Sequence, residues 1–334
     1  HVGWGQSGAI APGAMGLIRP KRLSPGDTIS VIAPSSGLSP GAFDAAIRSL
    51  ESLGFKVKIG RHAREQNGIF AGTDQGRLED LHEAFADSKV RGVWCVRGGN
   101  GSQRLLPNLD FSLIKRNPKV FVGYSDITAL HTAIQQNTGL ITFHGPLGMS
   151  TFSDYTRSHV LKAVTNISAP WMIERSEINR AQTSELYRTR VITPGKARGR
   201  LIGGNLTLIA SLAGTPWGLA NLKGKLLILE AVDEEPWRIE RMLTQLRESV
   251  DLRSLAQHIG HAGKVDGAMA ARAGSIFFDG ADITHLHAAR QRRARLLGRH
   301  ALVTHQRDDV LVENVALAVC EVLEAGKRRI DLGL

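Results

Sequence analysis

The stretch PKVFVGYSDITALHTAI, residues 118–134, predicts a strand, a tight turn and a helix in immediate succession. Apolar and β-branched residues from Val120 to Val122 favour a buried strand, and the apolar residues after the turn recur at helical spacing. Only a few residues around Gly123 separate the two patterns. A strand that turns directly into a helix is typical of a βαβ unit, and therefore of a parallel sheet.

The same alternation extends outward from this stretch in both directions. Strand patterns occur in DTISVIAPSSG, FKVKIG, VRGVWCVRGGNGSQRLL and LITFHGP, and helical patterns in FDAAIRSLESLGF and GRLEDLHEAFADSKV. Repeated units of this kind imply a mainly parallel sheet covered by helices. We therefore predict the α/β fold class, with a Rossmann-like or flavodoxin-like N-terminal domain.

The periodic pattern weakens between Asp154 and Pro194, where we expect no long regular element. A second series then follows, in which KGKLLILEAVDEEPWRIERMLTQL predicts a strand, a polar loop and a helix. We expect a smaller, mixed α/β C-terminal domain. The predicted organisation is a flexible leader at 1–19, an N-terminal domain at 20–165, a linker at 166–194 and a C-terminal domain at 195–334.

The composition is that of a globular protein with an excess of positive charge. In 334 residues, 42 Lys and Arg face 31 Asp and Glu, which gives a net charge of +11. This excess favours an anionic ligand, but no zinc-finger spacing or RNP-type motif predicts a nucleic-acid partner. No apolar segment approaches the length of a membrane span. The two cysteines, Cys95 and Cys320, lie in apolar runs and indicate core residues rather than a disulfide. We expect a cytoplasmic protein.

Three polar loops follow predicted strands, and parallel strands present their carboxyl ends at one edge of the sheet. These loops are RGGNG, GYSD and FHGP. We therefore expect substrate contacts from Arg97, Asn100, Tyr124 and His144. Ser125 has two interpretations at this point. It is a nucleophile exposed on a strand-to-helix elbow, although the G-x-S-x-G pattern is absent. Alternatively, either Ser125 or Asp126 caps the following helix.

A serine nucleophile needs a base, a group that orients the base, and donors for the oxyanion. Successive glycines such as Gly98 and Gly99 let backbone amides approach a ligand closely. Glu230 ends the apolar run LLILE, and it is either a solvated edge residue or an orienting acid. His261 and His305 both lie in loop-like sequences, and position alone selects neither as the base. No paired histidines at ligand spacing accompany the carboxylates, so no metal is predicted.

Taken together, these motifs resemble the LD-carboxypeptidase family of serine peptidases, which includes the microcin C immunity peptidases. The resemblance lies in APSSG, AGTDxxR, RGGxG, GYSDITALH, FHGP, GGNL and LLxLE, in this order. It implies a triad of Ser125, Glu230 and His305, with the amides of Asp126, Gly98 and Gly99 as oxyanion donors. It also implies a homodimer without metal or organic cofactor. The family's reaction is hydrolysis of an amide between an L-centre and a D-centre, releasing D-alanine from a murein tetrapeptide.

The chain departs from the family pattern at two places. Asn100 replaces the usual aromatic residue of RGGYG, and Thr304 precedes His305 where the family has glycine. His261, which does follow a glycine, is therefore the rival base. Two other functions remain open at this point. One is cleavage of a peptidyl-nucleotide, whose base would stack on Trp171, Trp217 or Trp237, and the other is a non-catalytic peptide- or sugar-binding protein.

Overall fold

The structure, a computed structural model, describes residues 16–166, 198–232 and 234–255, positions 173, 176, 177 and 181, and the backbone of 257–262. Its first unit contains a five-stranded sheet in the order β2-β1-β3-β4-β5, in which all neighbouring strands are parallel. The strands are β1 (Thr28–Ile32), β2 (Lys56–Ile59), β3 (Val90–Cys95), β4 (Val120–Gly123) and β5 (Phe143–His144). This is the flavodoxin-like strand order, and the predicted fold class is confirmed.

Helices cover both faces of this sheet. They are α1 (Pro40–Glu51), α2 (Asp74–Ala86), α3 (Phe111–Arg116), α4 (Thr128–Thr138) and α5 (Asp154–Thr165). Alternate residues of a strand point to opposite faces. Trp94 and Val122 accordingly pack with α1 and α5, whereas Val93 and Phe121 pack with α2, α3 and α4. Both faces of the central strands are therefore buried, which explains their uniformly apolar sequences.

Helix α5 occupies residues for which the sequence predicted no long regular element, so that prediction was wrong. Its buried residues are Thr156, Val160 and Val164, which form a single narrow stripe at a spacing of four. Ser153 caps the helix by accepting a hydrogen bond from the amide of Thr156 at 3.2 Å. Because so few apolar residues face the core, the helical period is weak in the sequence even though the cap is well formed.

The second unit contains a three-stranded parallel sheet in the order β6-β7-β8. Its elements are β6 (Arg200–Asn205), α6 (Leu206–Ser211), β7 (Lys225–Ala231), α7 (Pro236–Ser249) and β8 (Gln257–Ala262). Leu227 and Leu229 of β7 pack with Ile239 and Leu243 of α7 in a separate core. The predicted strand, polar loop and helix around Glu230 are therefore confirmed.

The second unit contacts the first through α4. The amide of Asn205 donates a hydrogen bond to Thr128 Oγ1 at 2.9 Å, and Gln136 Nε2 donates to the carbonyl of Ala220 at 3.3 Å. Leu212 is buried in the core on the α4 side of the first sheet, and Trp217 packs against it. Helix α4 thus links the first-unit turn that carries Ser125 to the second sheet.

We predict that Gly204→Ala destabilises this contact. A Cβ atom at Gly204 would lie 2.6 Å from Thr128 Oγ1 and 2.9 Å from its Cγ2, at a φ of 136° that disfavours side chains. Gly214, at a φ of 81°, has no atom near the corresponding position and provides the control. Because Gly204→Ala adds overpacking to backbone strain, it should lower the free energy of unfolding by about 2 kcal/mol more than Gly214→Ala. Urea denaturation measures the difference, and equal losses would contradict the prediction.

Candidate active site

Ser125 lies at the junction of β4 and α4 in an unusual backbone conformation. Tyr124 continues the strand with an extended backbone, and Ser125 then adopts a φ of 63°, in the left-handed region. A short 3₁₀ turn, Ser125–Ile127, leads directly into α4. A non-glycine residue held at positive φ costs on the order of 1–3 kcal/mol and often marks a functional site. The backbone is that of a strand-to-helix elbow.

The alternative role, in which Ser125 or Asp126 caps α4, is not supported by the hydrogen bonds. The N-cap of α4 is Ile127, and no side chain caps the helix. The carboxylate of Asp126 instead accepts hydrogen bonds from Ser35 Oγ at 2.6 Å and from the amide of Ser102 at 2.8 Å. Ser102 Oγ donates to the carbonyl of Asp126 at 2.5 Å. Asp126 therefore fixes the elbow to the loops that follow β1 and β3.

The glycine loop after β3 lies beside the elbow. A Cβ atom at Gly98 would be 3.0 Å from Ser125 Cβ and 3.3 Å from its Oγ, closer than most side-chain contacts, so the loop lies directly against the elbow. Gly99 has a φ of 104° and lies against Ser36. The loop predicted to supply oxyanion donors is thus in contact with Ser125, as expected for loops at the same edge of a parallel sheet.

The four predicted substrate contacts occupy different environments. Arg97 is half-buried and donates a hydrogen bond to the carbonyl of Gly37 at 2.5 Å, whereas Asn100 is exposed. Tyr124 is buried in the core, where its ring lies 6.1 Å from that of His144. Asn100 is therefore the most exposed of the four. The substrate role of all four stays a prediction.

Two histidines lie behind the elbow and are held neutral. His131 Nε2 donates to the carbonyl of Gly123 at 2.8 Å, and burial lowers the pKa of His131 to about 4. Burial, assisted by the neighbouring His131, lowers the pKa of His144 to about 3. Both ring nitrogens of His144 are buried, with no hydrogen-bond partner among the described residues. These histidines contribute no charge near Ser125 at neutral pH.

Glu230 lies at the carboxyl end of β7 and is only 4% exposed. In the sheet it is in register with Asn205 on β6 and with His261 on β8. Its side chain interacts with that of Asn205, but Oε1 has no hydrogen-bond partner among the described residues. Burial raises the pKa of Glu230 to about 7, an effect that the Asn205 hydrogen bond only partly offsets. A buried carboxylate with one free oxygen is suited to accept an N–H donor.

Of the two predicted bases, only the backbone of His261 is among the described residues. His261 lies on the described backbone of β8, next to Glu230 in register. His305 lies outside the described residues. The assignment of the base therefore stays a prediction.

Sequence reasoning missed several residues that support the site. Ser35 and Ser36 stand in the loop after β1, and Thr128 with Asn205 connects the elbow to the second sheet. The loop after β1 could have been included, because β1 ends at the same sheet edge as β3 and β4. Thr128 gave no such signal, since its partner lies far along the chain.

In residues 16–166, 198–232 and 234–255, no three His, Cys, Asp or Glu side chains are grouped to hold a metal ion. Every helix within those ranges is too short or too polar to span a bilayer.

A serine on a strand-to-helix elbow beside a glycine loop is the arrangement of a serine hydrolase on an α/β scaffold. The models of the LD-carboxypeptidase N-terminal and C-terminal domains match residues 29–145 and 198–264. The chain therefore belongs to the LD-carboxypeptidase family of serine-type peptidases. Ser125, Glu230 and His261 lie inside the matched ranges, and His305 lies beyond them.

Named relatives agree with this membership. The chain is 48% identical over 229 residues to a probable murein peptide carboxypeptidase of Bacillus subtilis, covering 69% of this chain and 70% of the relative. It is 38% identical to the murein tetrapeptide carboxypeptidase of Pseudomonas aeruginosa, covering 68% and 73%. The crystal structure of a MccF-like protein from Bacillus anthracis is similar, with a TM-score of 0.62 and 32% identity over 73% of this chain and 80% of the other.

We predict a pH-dependent stability that originates in Glu230. A pKa raised from 4.5 to about 7 means that the folded state binds more protons than the unfolded state between these values. The free energy of unfolding therefore falls as the pH rises through this window, and the loss is complete above the folded pKa. Glu230→Gln removes this term and should gain about 3 kcal/mol relative to the parent between about pH 4.5 and about pH 8.

Urea denaturation across this pH range measures the effect. Glu248→Gln, at a carboxylate whose side chain is 68% exposed, provides the control and should show no such gain. A Glu230→Gln profile parallel to that of the parent would contradict the prediction and would indicate that an N–H donor bonded to Oε1 cancels the effect of burial.

Proposed function

We propose that the protein is a serine carboxypeptidase that hydrolyses an L,D-amide bond and releases terminal D-alanine from a murein tetrapeptide. The observation that carries this proposal is the left-handed backbone of Ser125, which holds a serine on an elbow beside Gly98 and Gly99. Backbone strain of this kind is common at functional sites, and here it would expose the hydroxyl of a nucleophile. The named murein peptide carboxypeptidases among the relatives support the substrate class.

The proposed mechanism is acyl transfer through Ser125. The imidazole base takes the proton of Ser125 Oγ as the oxygen attacks the carbonyl carbon of the amide. Backbone amides of Asp126 and of the Gly98–Gly99 loop stabilise the tetrahedral oxyanion. The imidazolium then protonates the leaving nitrogen of the D-amino acid, and the C–N bond breaks. Water, deprotonated by the same base, hydrolyses the acyl-enzyme ester and regenerates Ser125.

Glu230 is proposed to orient the base. Its Oε1 is buried with no partner among the described residues, so an imidazole N–H could bind there without displacing another bond. The carboxylate has to be ionised to stabilise the imidazolium. Burial raises the pKa of Glu230, and a bound N–H donor would lower it again. The base would come from the chain near or after β8, either His305, as the resemblance implies, or His261.

We predict that Ser125→Ala lowers kcat on a murein tetrapeptide by about 10⁴-fold or more, because the nucleophile is lost. Binding of the uncleaved peptide should be retained, since the substitution only removes an oxygen. Release of D-alanine, followed by chromatography, measures the reaction. Ser158→Ala, at an exposed serine on α5, is the control. Detection of D-alanine at the parent rate in Ser125→Ala would refute the proposal, and a parent that binds but never cleaves would indicate a binding protein.

A second experiment assigns the base. His305→Gln should abolish hydrolysis, because glutamine cannot accept the proton of Ser125, whereas His261→Gln should retain most of the activity. Both variants are assayed for D-alanine release, with thermal unfolding as a check on the fold. The opposite pattern would transfer the role to His261, whose backbone lies in register with Glu230.

The alternative substrate within the family is a peptidyl-nucleotide, and the similarity to a MccF-like protein is the observation that supports this second candidate. Of the three tryptophans proposed to stack a base, Trp217 packs against the core, and Trp171 lies outside the described residues. Trp237 is 46% exposed at the start of α7, with Arg241 4.8 Å above its ring. An exposed aromatic ring with a cation is suited to an anionic nucleotide.

Comparing kcat/KM for the murein tetrapeptide and for a peptidyl-adenylate analogue separates the two substrates. We expect the tetrapeptide to be preferred and Trp237→Ala to leave its turnover unchanged, because a short peptide has no base to stack. A peptidyl-adenylate preference that Trp237→Ala removes would instead assign the immunity-type activity.

A further inference from the structure

Ser36, in the loop after β1, makes two hydrogen bonds to the glycine loop after β3. Its backbone amide donates to the carbonyl of Gly98 at 3.2 Å. Its Oγ accepts a hydrogen bond from the amide of Asn100 at 3.1 Å. Ser36 therefore holds the residues on both sides of Gly99, and the side chain is only 7% exposed.

These two bonds determine the direction of the amide between them. The carbonyl of Gly98 and the N–H of Gly99 belong to one planar trans peptide, so they point in opposite directions. With the Gly98 carbonyl directed at Ser36, the Gly99 N–H is directed away from Ser36. The missing side chain of Gly98 faces Ser125 on the other side of the loop. Between Gly99 and Asn100, the amide of Gly99 is therefore the one suited to an oxyanion on Ser125, because the amide of Asn100 is already bonded to Ser36 Oγ.

The contact between Ser36 and Gly99 also restricts residue 99 to glycine. Gly99 has a φ of 104°, and a Cβ atom there would lie 2.7 Å from Ser36 Cβ. The hydroxyl of Ser36 fills the remaining space on this side. Because Ser36 occupies the position that a side chain at residue 99 would need, only glycine fits here, and the Gly99 backbone packs directly against Ser36.

The loop that carries Ser36 is itself held along its length. The carbonyl of Pro34 accepts a hydrogen bond from the buried Arg77 at 2.5 Å, and the carbonyl of Ser35 accepts one from the amide of Ala71 at 2.9 Å. The neighbouring Ser35 Oγ donates to the carboxylate of Asp126 at 2.6 Å. One short, fixed loop therefore contacts the two chain segments from which both oxyanion donors are proposed to come.

We propose that Ser36 is a positioning residue that fixes the Gly99 amide for the oxyanion formed on Ser125. The proposal rests on the proposed function, because it presupposes acyl transfer at Ser125. Ser36 does not touch the reacting atoms and acts through the glycine loop. It should therefore affect the tetrahedral state more than substrate binding.

The test compares Ser36→Ala with Ser150→Ala in the full-length protein. Ser150 is also buried, and its Oγ accepts a backbone hydrogen bond, from Leu147, at the same 3.1 Å. Loss of a whole oxyanion donor costs about 10²–10³-fold in kcat. Ser36→Ala loosens one donor without removing it, so we expect kcat on the murein tetrapeptide to fall about tenfold with KM within about twofold. Ser150→Ala should change neither constant by more than about twofold.

A second measurement is made first on the parent protein, so that its result does not depend on whether a variant folds. A peptide boronic acid, which forms a tetrahedral adduct with serine, is added to ¹⁵N-labelled protein. The amide proton of Gly99 should shift strongly downfield when the adduct forms, while that of Asn100, bonded to Ser36, should change little. In Ser36→Ala the boronate should bind about tenfold more weakly, in proportion to the loss of kcat.

The outcomes distinguish this proposal from the proposed function. Equal kinetics for Ser36→Ala and Ser150→Ala, or an unshifted Gly99 amide in a formed adduct, would overturn the positioning role while leaving the peptidase assignment intact. A parent protein that neither hydrolyses the tetrapeptide nor forms a boronate adduct would overturn the assignment, and the positioning role with it.

Discussion

The candidate site depends on the backbone of Ser125, which turns into the left-handed region between β4 and α4. This conformation is unfavourable for a serine in isolation, so surrounding contacts have to maintain it. The buried carboxylate of Asp126 provides them by accepting hydrogen bonds from Ser35 and Ser102. The elbow is thus tied to the loops after β1 and β3, and the three loops form one hydrogen-bonded group at the carboxyl edge of the sheet.

The strand order explains why these loops meet. In the order β2-β1-β3-β4-β5, the chain first adds β2 on one side of β1 and then crosses back to add β3 on the other side. The loops after β1 and β3 therefore lead to opposite faces of the sheet. The crevice at such a switch point is where α/β proteins place their ligands. Here the glycine loop after β3 lies on Ser36 from one strand and beside Ser125 from the other. The topology therefore brings a proposed nucleophile and a proposed oxyanion donor together without a long connecting loop.

Burial controls the charge of the groups around the elbow. His131 and His144 have lowered pKa values and are neutral, while burial raises the pKa of Glu230. The Asn205–Thr128 contact connects the strand beside Glu230 to α4, which begins directly after the elbow. A carboxylate in such an environment gains much from one N–H donor, because the low dielectric strengthens a hydrogen bond to a charged group. This is the electrostatic basis for proposing Glu230 as the partner of an imidazole.

The sequence by itself determined the parallel α/β fold of the first unit, the turn at Ser125 and the position of Glu230 at a strand end. These features are local, because residues close together in the sequence set the strand and helix periods and the positions of the glycines. It did not predict α5, because only Thr156, Val160 and Val164 of that helix face the core. Only the tertiary structure decided that Asp126 bonds to Ser35 instead of capping α4, that Ser36 holds the glycine loop, and that Thr128 meets Asn205. Each of these contacts joins residues from separate elements, and the pairing depends on the order of the strands in the sheet, which no local pattern specifies.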